Sequence, residues 1–105
     1  MLQVHFEDAR LRDLGTRESL ADEELGASNA RALRALIAEA EAFLDAASLI
    51  DFRLPTPPMG DSLAIPFGVD CMAHFRIVFP DASRQDDGGT DWTRVKRLML
   101  TRIET

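Results

Sequence analysis

One cysteine, one lysine, one tryptophan and no tyrosine occur in the 105 residues. The lone thiol, Cys71, has no internal disulfide partner, which makes the reducing cytoplasm the expected compartment. His5, His74 and Cys71 lie far apart in sequence, so no metal-ligand spacing exists, and neither a structural metal nor a cofactor is expected. No apolar run approaches the roughly 18 residues of a membrane span. Glu7 and Asp8 interrupt the first apolar run, so it does not read as a signal peptide, and no membrane partner is expected. Repeats and low-complexity tracts are also missing.

An apolar share of 46% and a charged share of 29% fit one globular domain spanning 1–105. Eleven of the twelve basic residues are arginine, and the net charge is −6. Residues 1–52 hold 11 acids against 5 bases, and residues 53–105 hold 7 of each, so the acidic surplus sits wholly in the first half. Such a domain is repelled by nucleic acid at long range. A nucleic-acid partner therefore needs a local basic patch in the second half.

Leu2-Gln3-Val4-His5-Phe6 alternates apolar and polar side chains and reads as a short strand. Asp8 is a good N-cap for a helix over 9–25, with Gly15 as a break or kink and Leu25-Gly26 as its stop. Ser28 caps a second helix over 29–47. Its stripe of Ala30, Leu33, Ile37, Ala40, Leu44 and Ala47, widened by Leu36 and Phe43, offers one face to a core or a partner helix. Three prolines within 53–60 exclude helix and central strand there. From Leu63 the period becomes two, and every odd position to Phe79 is apolar. Strands usually run about 5–6 residues, so the stretch divides into strands over 63–70 and 74–79, with a turn near Cys71-Met72-Ala73. One strand face is buried; Asp70, His74 and Arg76 lie on the other. A tight polar turn over 84–95, with adjacent Gly88 and Gly89, leads through Trp92 into a last strand over 95–103. That strand carries apolar residues on both faces, as a central strand does. The expected fold is α+β, in the order β-α-α-β-β-β: two helices on one face of a four-stranded, mainly antiparallel sheet.

Several local motifs follow one another in a telling order. They are Val4-His5-Phe6 with Leu11 and Leu14, Leu25-Gly26, Ala46-Ala47-Ser48-Leu49-Ile50-Asp51-Phe52, Phe67-Gly68-Val69-Asp70, and His74-Phe75-Arg76-Ile77-Val78-Phe79. Last comes Arg84 through Asp87-Gly88-Gly89-Thr90-Asp91-Trp92 to Val95. In this order the chain resembles the RelE/HigB-like toxins of bacterial type II toxin–antitoxin modules, and most of all their plasmid-maintenance killer-protein branch. The resemblance implies a RelE/ParE-like fold and a growth-inhibiting mRNA interferase. Such a toxin is a metal-free, ribosome-dependent endoribonuclease, neutralised by a cognate antitoxin. Its partners would be that antitoxin, the ribosome and mRNA. In such an enzyme the 2′-hydroxyl attacks the adjacent phosphate, and fixed cations stabilise the extra negative charge.

By that resemblance Arg76 takes the position of the family's sheet arginine, and His74, two residues earlier on the same face, becomes a candidate acid or base. On the residues alone, Arg76 equally suits pairing with a helix carboxylate, and His74 a solvated strand position. Arg94, Lys96, Arg97 and Arg102 form a basic cluster that reads as a solvated strand edge, an RNA patch or a dock for an acidic antitoxin segment. Cys71 has no matched His–carboxylate pattern and is not read as a nucleophile. The family's usual basic residues before Phe67 and its acidic-Tyr-His tail have no counterparts in Asp61-Ser62-Leu63-Ala64-Ile65-Pro66 or in Ile103-Glu104-Thr105. These departures, with the net charge of −6, support an alternative: a non-catalytic toxin-fold module that binds protein, either a degenerate toxin or an inhibitor of another target such as gyrase.

Overall fold

Strand β1 (Gln3–Phe6) turns Val4 and Phe6 toward the core and is followed by helix α1 (Ala9–Thr16). Asp8 caps α1 as expected, its carboxylate accepting from Leu11 N at 2.9 Å. The computed structural model describes residues 1–53, 58 and 60–105, so most of the expected proline-rich connection over 53–60 lies outside the described residues.

The helix expected over 9–25 is two helices. Arg17 takes an extended conformation and separates α1 from α2 (Glu18–Leu25). Gly15 is not the break. It lies inside α1, where a Cβ would stand 2.8 Å from the Phe6 ring and 3.0 Å from Ile37 Cδ1, so the missing side chain admits its neighbours. Gly26, at φ +86°, ends α2 as expected and also begins α3 (Ala27–Ala42). Ser28 therefore falls in the first turn of α3 and is not its cap, because Gly26 O already accepts from Ala30 N at 2.9 Å.

Helix α3 buries Ala30, Leu33, Leu36, Ile37 and Ala40, the expected stripe. It stops earlier than 47. Phe43 is extended, its carbonyl accepts from Leu2 N at 2.8 Å, and Leu44 is left exposed. A fourth helix, α4 (Ala46–Arg53), follows, with Asp45 accepting from Ser48 N at 2.9 Å and Ser48 Oγ at 3.0 Å. Arg53 on α4 pairs with Glu39 on α3.

Strands β2 (Ser62–Phe67) and β3 (Cys71–Ile77) form an antiparallel hairpin. Its turn is Gly68, Val69 and Asp70, not Cys71-Met72-Ala73. Gly68 and Asp70 take positive φ, and Phe67 pairs with Cys71. A three-residue loop preserves odd parity, so the alternating sequence runs through the turn unmarked. Asn29 on α3 holds the loop, accepting from Val69 N at 2.8 Å. The 84–95 stretch doubles back through an Arg84–Thr90 bridge and a 3₁₀ turn at Trp92–Arg94. Strand β4 (Arg97–Glu104) then enters between β1 and β3.

The sheet order is β1-β4-β3-β2. β4 is central, as its apolar residues on both faces suggest. It pairs antiparallel with β3 and parallel with β1, so the sheet is mixed. The fold is α+β, with four helices among the described residues where two were expected. Leu33, Leu36 and Ile37 join Leu63, Ile65, Phe67, Phe75, Ile77, Leu98 and Leu100 in one buried cluster beneath the helices. No helix among the described residues is long and apolar enough to cross a membrane.

Candidate functional site

The face of the sheet turned away from this cluster carries most of the candidate residues. On a regular ladder, residues of one parity share a face. β4 breaks that rule once. Arg76 pairs with Met99 and Phe75 with Leu100, but His74 pairs with Arg102, so Thr101 is an extra residue. Its Oγ1 donates to His74 O at 3.1 Å. This bulge changes the parity of β4: Leu98, Leu100 and Ile103 all point to the core side, while Met99, Arg102 and Glu104 share the outer face with His74 and Arg76. Bulges re-aim side chains in this way.

Three side chains meet beside the bulge. His74 Nε2 lies 2.9 Å from Glu104 Oε1, and Arg102 Nη2 lies 3.3 Å from the same oxygen and 3.2 Å from His74 Nε2. One nitrogen cannot donate to Glu104 and accept from Arg102 together. A proton on Nε2 lets Glu104 accept from both partners. Arg76 stands one rung pair away. Its only described contact is Nη2 to Met99 Sδ at 4.0 Å, so the arginine–carboxylate pairing considered for it is not found among the described residues. His5 occupies the same rung on β1, its Nε2 shielded from solvent.

The basic cluster near the end of the chain is divided. Arg102 joins His74. Arg97 lies on the outer face opposite Val78, which donates to its carbonyl at 3.2 Å, and its guanidinium stands 5.9 Å from the centre of the Phe79 ring. Lys96 turns to the helical side, 3.9 Å from Asp45, and Arg94 lies in the 3₁₀ turn. Arg76, Phe79 and Met99 line a groove of about 380 Å³ with Asp61, Ser62 and Pro80. Among the described residues, no group of three His, Cys, Asp or Glu side chains is placed to hold a metal.

Glu104 and Phe79 enter the sequence reading only within a tail and a strand motif, not as candidate site residues. Glu104 reaches His74 only through the bulge, which alternation does not reveal. Phe79 reads as the end of a buried-parity strand, yet it is 65% exposed.

The chemistry available on this face is anion binding by Arg76, Arg97 and Arg102, beside an imidazole oriented by a carboxylate. No protein-family model, curated protein or solved structure matches the chain.

Proposed function

We propose that the chain is a RelE/HigB-like toxin of a type II toxin–antitoxin module, a metal-independent mRNA endoribonuclease acting on the ribosome and neutralised by a cognate antitoxin. The observation that carries this reading is the outer sheet face, where His74 and Arg102 share one rung and Arg76 stands two rungs away on the same face. Reading α1 with α2, and α3 with α4, as two interrupted helices supports this proposal by bringing the observed element order close to the expected β-α-α-β-β-β. The toxin works in the cytoplasm, where its target is.

In this reading the phosphate lies on the outer face. The 2′-oxygen attacks phosphorus and the bond to the 5′-oxygen breaks, leaving a 2′,3′-cyclic phosphate and a 5′-hydroxyl. One proton leaves the 2′-hydroxyl and one is delivered to the leaving oxygen. Arg76 stabilises the charge that builds on the phosphate. His74, oriented by Glu104, carries a proton, and Arg102 is a lesser anion contact.

The test is a coupled translation reaction with mapping of mRNA 5′ ends. New ends should appear with the wild-type protein, and Arg76→Ala should reduce them about a hundredfold. No cleavage, together with no growth arrest on induction, would end this reading.

A second reading, a non-catalytic protein-binding module, is favoured by one contact. Glu104 pairs with Arg102 and engages His74, leaving Arg76 the only one of the three without a carboxylate among the described residues. Arg76→Ala would then leave cellular effects unchanged, and pull-downs would return a protein and no ribosomes.

A further inference from the structure

We propose that Phe79 is a stacking platform for an unpaired base of single-stranded RNA, with Arg97 and Arg76 engaging the flanking phosphates. The inference rests on the outer face being an RNA surface and adds where on that face the strand is held.

Phe79 sits at φ +59°, in the left-handed region that a bulky side chain avoids. The strain is not repaid by burial, because the residue is 65% exposed. Strain of this kind persists where the surroundings hold a residue for use. What the conformation achieves is placement. The ring flanks the 380 Å³ groove, with the Arg97 guanidinium 5.9 Å from its centre. A base on the exposed ring would complete a guanidinium–phenyl–base stack, the arrangement by which single strands are gripped without sequence readout.

The charges suit a phosphodiester. Arg10, Arg12, Arg17, Arg34 and Arg53, on or beside the helices, have carboxylates within 4 Å; Arg76 and Arg97, like Arg31 on α3, have none among the described residues. They stand diagonally on neighbouring strands, a relation of about 7–8 Å between backbones, close to the spacing of successive phosphates on an extended strand. Asp61, the acid lining the groove, is already engaged by Arg84 Nη2 at 3.4 Å and Thr90 Oγ1 at 3.3 Å.

The test is fluorescence anisotropy at low salt with a fluorescein-labelled single-stranded oligoribonucleotide and a matched abasic strand carrying the same phosphates. The wild-type protein should bind the abasic strand about tenfold more weakly. Phe79→Ala should lose the same factor on the normal strand and nothing on the abasic one. Phe79→Trp should keep full affinity, and Arg97→Ala should weaken both strands, the normal one more because it also loses the guanidinium of the stack. Phe79→Gly relieves the φ strain, so it should melt no lower than wild type yet bind as weakly as Phe79→Ala, which separates lost binding from lost folding. Equal affinity for the two strands, an unaffected Phe79→Ala, or a poly-glutamate peptide competing as well as RNA in a Phe79-dependent way would each overturn the proposal. Arg76-dependent cleavage without Phe79-dependent binding would sink the stacking role alone. Phe79-dependent binding without cleavage would sink the nuclease alone.

Discussion

At Gly68, φ is +56° and a Cβ would overlap Asn29 Oδ1, the atom that accepts from Val69 N. Gly68→Ala meets two costs, left-handed backbone at about 1–2 kcal/mol and a displaced hydrogen bond at about 1 kcal/mol. Urea unfolding should show a loss of about 2–3 kcal/mol. Asp45 gives a pH-dependent counterpart. The Ser48 N–H holds its carboxyl below the usual carboxylate range, helped by the Ser48 hydroxyl and Lys96 against the opposing effect of burial. A group whose pKa is depressed on folding stabilises at pH above its unfolded value and loses that effect as pH falls through the folded one. Asp45→Ala should therefore cost about 1 kcal/mol at pH 7. The gap between wild type and variant should close below about pH 4. Single-residue signals differ in legibility for a physical reason. Asp8 and Gly26 act through local backbone chemistry and are readable. Phe79 is not, since nothing in Val78-Phe79-Pro80 announces a positive φ.

The bulge in β4 decides which side chains face which way, and it can be tested by deletion. Removing Thr101 leaves Leu100 opposite Phe75 and Arg102 opposite His74, so a regular ladder forms with every face kept. Only the Thr101–His74 bond is lost, about 1 kcal/mol, and a folded amide spectrum should persist. Removing Met99 also deletes one residue, but it moves Leu100 to the outer face and Thr101 into the core position opposite Phe75. That protein should lose several kcal/mol and give a collapsed spectrum. If both deletions behave alike, the assigned register is wrong. The same parity logic explains the missed boundaries. The β2–β3 loop has three residues, so alternation passed through it and only Gly68 and Asp70 marked the turn. Asp45 begins α4, but Leu44 and Ala47 continue the spacing of the α3 stripe, so two helices read as one.

On the scale of the molecule, the pattern of apolar residues made the class legible but not the pairing. Apolar residues on both faces mark β4 as central; they contain nothing about the parallel partner, β1, which is separated from it in sequence by all four helices and two strands. Charge is likewise segregated. The surplus of six negative charges lies in residues 1–52, mostly the helical layer, while β3 and β4 hold Arg76, Arg97 and Arg102 against Glu104 alone. The molecule's shortest dimension is 22 Å, against a Debye length of about 10 Å at 0.1 M salt and about 30 Å at 0.01 M. The helical acids are thus screened from an RNA on the outer face at 0.1 M and felt by it at 0.01 M. With two phosphates neutralised by Arg76 and Arg97, log K should fall against log salt with a slope of about −1.4 near 0.1 M, and about −0.7 in Arg76→Ala. Below about 0.01 M the wild-type line should flatten, because repulsion from the helices grows as screening fades. Replacing the exposed helical acids Glu18→Gln and Glu23→Gln should straighten it without changing affinity at 0.1 M. A slope steeper than about −3, of the kind a broadly basic surface produces, would mean that cations beyond the outer face carry the binding. Flattening that persists in the Glu18→Gln/Glu23→Gln protein would place the repulsion elsewhere than in α2.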